Sequence, residues 1–175
     1  MNLFFLHIDP EQCAKEHCDK HVVKMLLETV QMLYTAHHVK GKIPDFAYRI
    51  AHTNHPTCVW VRHCYENYLY TVNLAKYLSI EYTYRYNKVH SCQKHVDWLL
   101  VNVPFKIDKI DKIEMTPIPL SMPIECKITN DPIQSYRKYY ILKKQYFARW
   151  TSRPIPRWYT PLNLRIYFTK FIKES

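Results

Sequence analysis

Glycine occurs once in 175 residues, at Gly41. That single count removes several functional classes. A Gly-rich phosphate loop, a dinucleotide-binding fingerprint and a nucleophile elbow all need more than one glycine at fixed spacing. Tight type I′ hairpins need positive φ at their central residues, so few are expected. Eleven prolines punctuate the chain instead. Hydrophobic residues make up 47% of it, too many for a disordered tail, and the length suffices for one domain with a core. The expectation is a mainly α, single compact domain over 1–175. It would have about four long helices, proline-rich connections and a basic aromatic C-terminal segment.

Helix-start signals set the boundaries. Asp9–Pro10 combines an N-cap with proline at the first helical position, predicting a helix from there to about His38, ended by Gly41 and Pro44. Residues 41–56 read as a loop closing at "HTNHPT". Pro56, with Asn54 or His55 as cap, opens a second long helix to about Lys88. A third is expected at about 89–102. Residues 103–131 contain Pro104, Pro117, Pro119 and Pro123 and read as an irregular crossing segment, although "KIDKIDKIEM" alternates like an edge strand. Asp131–Pro132 starts a fourth helix, "IQSYRKYYILKKQYFARW".

"MNLFFLHIDP" lacks the basic region of a secretory signal, and no window approaches 18 apolar residues. The six cysteines form no CxxC pair and read as reduced thiols of a cytosolic or nuclear protein, expected to be a monomer.

The formal net charge of +10 is unevenly spread. Residues 1–131 hold 15 Lys/Arg against 14 Asp/Glu, whereas residues 132–175 hold 10 against Glu174 alone. Such asymmetry points to a polyanion, with DNA expected before RNA. In the basic part, Arg137, Lys138, Arg149, Arg153 and Arg157 interleave with tyrosines and with Trp150 and Trp158. Cations contact phosphates while aromatics stack on an extruded base.

The first helix carries "CDKHVVKMLLETVQMLYTAHH". On a helical wheel His17, Lys24, Glu28, Gln31, Thr35 and His38 fall within about 80° of Lys20, and His21 at about 100°. The apolar arc is wide and the polar strip narrow, which suits a groove lining. The order of charges disfavours a purely structural face. Lys20 and Lys24 repel one turn apart, and lysine before glutamate is the poorer i,i+4 orientation. An amine that sheds its proton beside another cation is a nucleophile, and a carboxylate can shuttle protons or stabilise an oxocarbenium ion. The combination suits N-glycosidic bond cleavage through a Schiff base. Asp19 is a second carboxylate. Cys13, His17 and His21 have a spacing that can bind zinc, but no fourth ligand is apparent and the lysines oppose a cation, so neither metal nor cofactor is expected.

The segments "NLFFL", "DKHVVKMLLETVQML", "NHPTCVWVR" and "SYRKYYILKKQYFARWTSRPIPRWY", in that order, resemble a family of small proteins of phages and large DNA viruses. That family is in turn distantly similar to the pyrimidine-dimer DNA glycosylases of the endonuclease V type. The resemblance implies an all-α, virus-encoded repair enzyme that extrudes a base and attacks the sugar with an amine. In those glycosylases a small second residue lets the initiator methionine be removed. Here Asn2 follows, so Met1 is expected to stay, and the amine would be its own or that of Lys20 or Lys24. The carboxylate would be Asp19 by position or Glu28 by helix face. His17, His21 and Gln31 would position sugar or phosphate. His55, Arg62, Arg85 and the basic residues named above would contact the backbone, and Trp60 or Trp158 would wedge or stack. The alternatives are a non-catalytic nucleic-acid-binding protein and an enzyme acting on a nucleotide or modified base.

Overall fold

Asp9, His55 and Asp131 each precede a proline, and each caps a helix with its side chain. Asp9 Oδ1 accepts the Gln12 N–H at 2.7 Å, His55 Nδ1 accepts that of Thr57 at 3.2 Å, and Asp131 Oδ1 accepts that of Gln134 at 2.9 Å. Proline at the following position loses no helical hydrogen bond, because that N–H would have no partner anyway. In the computed structural model, which describes residues 2–41, 43–105 and 114–159, these caps begin α1 (Pro10–Glu16), α3 (Pro56–Val61) and α6 (Pro132–Lys143). The longest helices are α2 (Asp19–Lys40) and α4 (Tyr65–Tyr86), and the shorter α5 (Gln93–Val101) comes between α4 and α6 in the chain. A 3₁₀ turn spans Ile124–Cys126. The fold is mainly helical, and the described residues contain no strand. Most of "KIDKIDKIEM" and everything after Tyr159 lie outside the described residues. No described helix is long and apolar enough to cross a membrane.

Two expected helices are divided. The first breaks at His17 and Cys18, whose backbones are extended (ψ 136° and 162°). The backbone groups released there find partners far away in sequence. Glu16 O accepts the Trp150 indole N–H at 3.0 Å, Asp19 N–H donates to Arg149 O at 2.8 Å, and Lys15 O accepts from Arg85 Nη2 at 3.0 Å. Tertiary partners thus satisfy a joint that local periodicity reads as continuous helix. The second expected helix breaks between α3 and α4, where Asn67 Nδ2 donates to Trp60 O at 2.8 Å. The fourth ends at Lys143, short of the expected Trp150.

With glycine nearly absent, the left-handed backbone positions go to other residues: His52, Asn87, Asn130 and Ser152 have φ of 50–58°. Asn87 thereby caps the C-terminus of α4, a place where asparagine is tolerated. Gly41 is extended at φ 177°.

Helix α4 packs against α1, α2 and α5, and α2 is buried over most of its circumference. The segment Leu3–Leu6 is buried beside α6, with Phe5 among Trp60, Tyr70 and Tyr136. Tyr34, Tyr68, Tyr136 and Tyr140 are the largest fully buried side chains. Each hydroxyl has a partner: His95 Nδ1, His37 Nε2, Pro119 O and His21 Nδ1 respectively. A buried hydroxyl without one would cost about 1–3 kcal/mol. These tyrosines therefore fill the core and have no face left for a base.

Candidate functional site

The narrow polar strip of α2 opens into a cleft of about 300 Å³ where the N-terminal segment meets α2 and α6. Glu28 lies on its wall with its side chain 13% exposed. Its Oε2 accepts the Asn2 backbone N–H at 2.9 Å, and Lys24 Nζ stands 3.6 Å from Oε1. Asn2 is held at its side chain as well: Nδ2 donates to Ser121 O at 2.8 Å, and Thr57 Oγ1 donates to Oδ1 at 3.3 Å. The carboxylate is therefore fixed against a backbone that is itself fixed. Lys24 is 70% exposed and reaches over the mouth. Lys144, at the end of α6, lies over the Tyr139 ring at 4.7 Å and the Phe4 ring at 5.9 Å and completes the lining with His21 and His55.

His21 is neutral in this setting. Burial lowers its pKa to about 2, helped by His17, Lys144 and Lys24. Its Nδ1 meets the Tyr140 hydroxyl, and its ring lies tilted against Phe4 with centroids 4.4 Å apart. His17 is fully buried, with its pKa lowered to about 4 by desolvation. Its Nδ1 bonds to Cys13 O at 2.7 Å, while Nε2 has no partner among the described residues. His17 therefore lies behind the cleft and cannot touch a ligand there. His55 both caps α3 and lines the cleft, and burial lowers its pKa too.

Lys20 and Asp19 lie on the other side of Lys24. With Val23, Tyr82, Tyr86, Lys88 and Lys24 itself they line a more apolar cleft of about 550 Å³ between α2 and α4. Lys20 Nζ sits 5.2 Å over the Phe147 ring. Asp19 is structural: its carboxylate accepts from Arg85 Nη1 and from the Thr151 backbone N–H, each at 2.9 Å, and from Thr151 Oγ1 at the same distance. Of the two carboxylates expected from sequence, Glu28 is the one beside an amine in the polar cleft.

Several residues expected to contact DNA are held inside. The Arg85 side chain has no exposure. Its Nε donates to Glu81 at 2.7 Å while its other nitrogens bind Asp19 and Lys15 O. Trp60 is buried, its indole N–H donating to Thr116 O at 3.1 Å, so it forms no wedge. Arg62 Nη1 donates to Thr53 O at 2.6 Å, and Gln31 is half-buried. Arg149 is exposed, and Lys138 is half-buried. Arg137, Arg153, Arg157 and Trp158, spread over "SYRKYY" and "SRPIPRWY", converge on a third cavity, of about 710 Å³, shared with α1. No group of three His, Cys, Asp or Glu among the described residues is arranged to hold a metal ion. Cys13 is engaged, donating its thiol to Phe4 O at 3.3 Å.

The residues missed by sequence reasoning are Asn2, Lys144, Tyr139 and Ser121. Their signal is long-range: nothing local tells that residues 2, 121 and 144 meet one face of α2. Met1 lies outside the described residues. Compared with known proteins, the chain matches no protein family, no curated protein and no solved structure.

Proposed function

We propose that the chain is a DNA-binding repair-type enzyme, an N-glycosylase and abasic-site lyase, with its reaction centre in the Glu28 cleft. One observation carries this reading: Lys24 Nζ and the recessed, backbone-anchored Glu28 carboxylate stand 3.6 Å apart in a polar cleft. An amine beside a carboxylate supplies both groups that Schiff-base lyase chemistry requires. Lys24, once deprotonated through Glu28, adds to C1′ of the sugar as the base departs with its bonding pair and takes up a proton from the attacking amine. The C1′–O4′ bond then breaks, O4′ receives the proton held by Glu28, and the open-chain imine is left beside a carboxylate again able to act as a base. At an existing abasic site it adds to the C1′ aldehyde and water leaves. Glu28 then takes a proton from C2′ of the imine, and the 3′-phosphate departs. Neutral His21 presents a ring edge without a competing cation. Lys144 offers a positive charge to the adjacent phosphodiester, and the excess of cations after residue 131 favours a polyanionic substrate.

Borohydride trapping on an oligonucleotide bearing an abasic site tests this. Wild type forms a covalent adduct, Lys24→Ala loses it, and Lys20→Ala and Lys144→Ala keep it. Glu28→Gln still forms the adduct, but strand cleavage falls by about 10² or more. An adduct that survives Lys24→Ala moves the amine to Lys144 or to the amino terminus, according to which further block removes it. Tight DNA binding with no adduct in any form refutes the lyase and leaves the non-catalytic nucleic-acid-binding reading.

A further inference from the structure

The 710 Å³ cavity shares no residue with the Glu28 cleft. Two of its arginines are held in an unusual way. Arg137 uses Nε on Leu6 O at 2.9 Å and Nη2 on Glu16 at 3.4 Å. Arg153 uses Nε and Nη2 on Glu81, at 2.9 Å and 2.8 Å. Each guanidinium is thus fixed along one edge, that of Arg153 by the buried Glu81 carboxylate and that of Arg137 by the Leu6 carbonyl together with Glu16. Each leaves Nη1 without a partner among the described residues. The rings beneath them add stiffness: Arg137 lies 5.3 Å from the Trp158 centroid and Arg153 4.0 Å from that of Tyr84. A planar fork held from behind, with donors left over, is a pre-organised receptor for phosphate oxygens. Arg157 lines the same cavity, exposed and unpaired among the described residues. The Glu16 carboxylate in this cavity is occupied by the Trp158 indole N–H at 2.7 Å as well as by Arg137. The cavity is larger than a phosphate needs, and beside the polar His7, Gln12 and Lys15 its wall has an apolar part, formed by Trp158 and the run Pro154–Ile155–Pro156. A flat ring fits such a wall.

We propose that this cavity is a second ligand site, which takes a nucleotide phosphomonoester through Arg137, Arg153 and Arg157, with the base against the Trp158–proline wall. The ligand chemistry is a terminal phosphate joined to a nucleoside, carried by the 5′ end of a nucleic-acid strand or by a free mononucleotide. A diester within a strand carries one charge fewer and cannot enter the cavity end-on.

Fluorescence anisotropy of the full chain with two labelled single strands, identical except for a 5′-phosphate or a 5′-hydroxyl, tests the proposal. Adenosine 5′-monophosphate and adenosine serve as competitors. The phosphorylated strand is expected to bind about tenfold tighter, equivalent to about 1.4 kcal/mol. Arg157→Ala abolishes that preference, with thermal unfolding unchanged because Arg157 has no described partner to lose. Lys24→Ala retains it, which separates this site from the reaction centre. Displacement by the monophosphate but not by adenosine identifies a free nucleotide as a ligand. A preference without displacement identifies the strand end. Equal binding of the two strands without displacement overturns the proposal. So does a preference or displacement that persists undiminished in Arg157→Ala.

Discussion

His17 and His21 are buried one helical turn apart across the α1–α2 joint, and both are held neutral. In the unfolded chain each titrates near the ordinary value of about 6.5. In the folded chain burial depresses them to about 4 and about 2. As pH falls below about 6.5 the unfolded state takes up protons that the folded state refuses. Stability present above that pH is therefore lost on acidification, and the loss continues down to the folded values. Each histidine contributes a slope of up to about 1.4 kcal/mol per pH unit. His55, His90 and His95 shift in the same direction. Urea unfolding between pH 7 and pH 5 is expected to show a falling midpoint, and His17→Gln to flatten the slope by about one proton. A wild-type midpoint independent of pH, or a variant with the wild-type slope, contradicts this account. The spacing of the two histidines was legible in the sequence and suggested a ligand-facing strip. Their burial was not, because it is imposed by Phe4, Tyr140 and Phe147, from both ends of the chain.

At the scale of elements, the joint between α1 and α2 depends on a buried network that reaches across three parts of the molecule. Arg85 binds Glu81 on its own helix, Asp19 at the start of α2 and the Lys15 carbonyl at the end of α1. Arg153 binds the same Glu81 from the other side. Among the described residues, removing Arg85 leaves the buried Glu81 with Arg153 as its one cation and Asp19 with Thr151 alone, so Arg85→Met is expected to cost about 3 kcal/mol by chemical denaturation. Arg85→Lys does not restore it, because one ammonium lacks the fork that meets three acceptors at once. A loss under about 1 kcal/mol, the range of an exposed pair, refutes the network's role. The Glu81–Arg85 pair was readable from its i,i+4 spacing. Asp19 was not, since it lies 66 residues from its partner. The helix starts at Pro10, Pro56 and Pro132 were equally readable because a cap is a local bond. The breaks after Glu16 and Val61 have no local signature, because their hydrogen bonds are tertiary.

For the molecule as a whole, the charge asymmetry was plain in the sequence, yet its meaning is divided. Part of the basic segment is structural. Arg149 and Trp150 supply backbone and indole bonds to the α1–α2 joint, Thr151 caps Asp19, and Arg153 neutralises Glu81. Trp150 and Tyr159 belong to the continuous buried cluster that begins at Leu3. A chain ended after residue 148 is therefore expected to lose cooperative thermal unfolding, beyond its loss of positive charge. A truncated chain that melts as sharply as the full one, with only DNA binding impaired, would falsify this assignment. The Glu28 cleft has the same character, being assembled from residues 2, 28 and 144, which no local window contains together.

That architecture has a consequence for synthesis. Two of the three bonds that close the break at residues 17 and 18 come from Arg149 and Trp150, the latter 134 positions after its partner Glu16. While the chain is still being made, α1 and α2 emerge with the polar groups at their junction unmet and His17 and His21 uncovered. The ribosome must deliver nearly all of the described chain before that junction can be sealed. Until then the nascent protein exposes its earliest hydrophobic residues to chaperones, and the interval is set by translation speed.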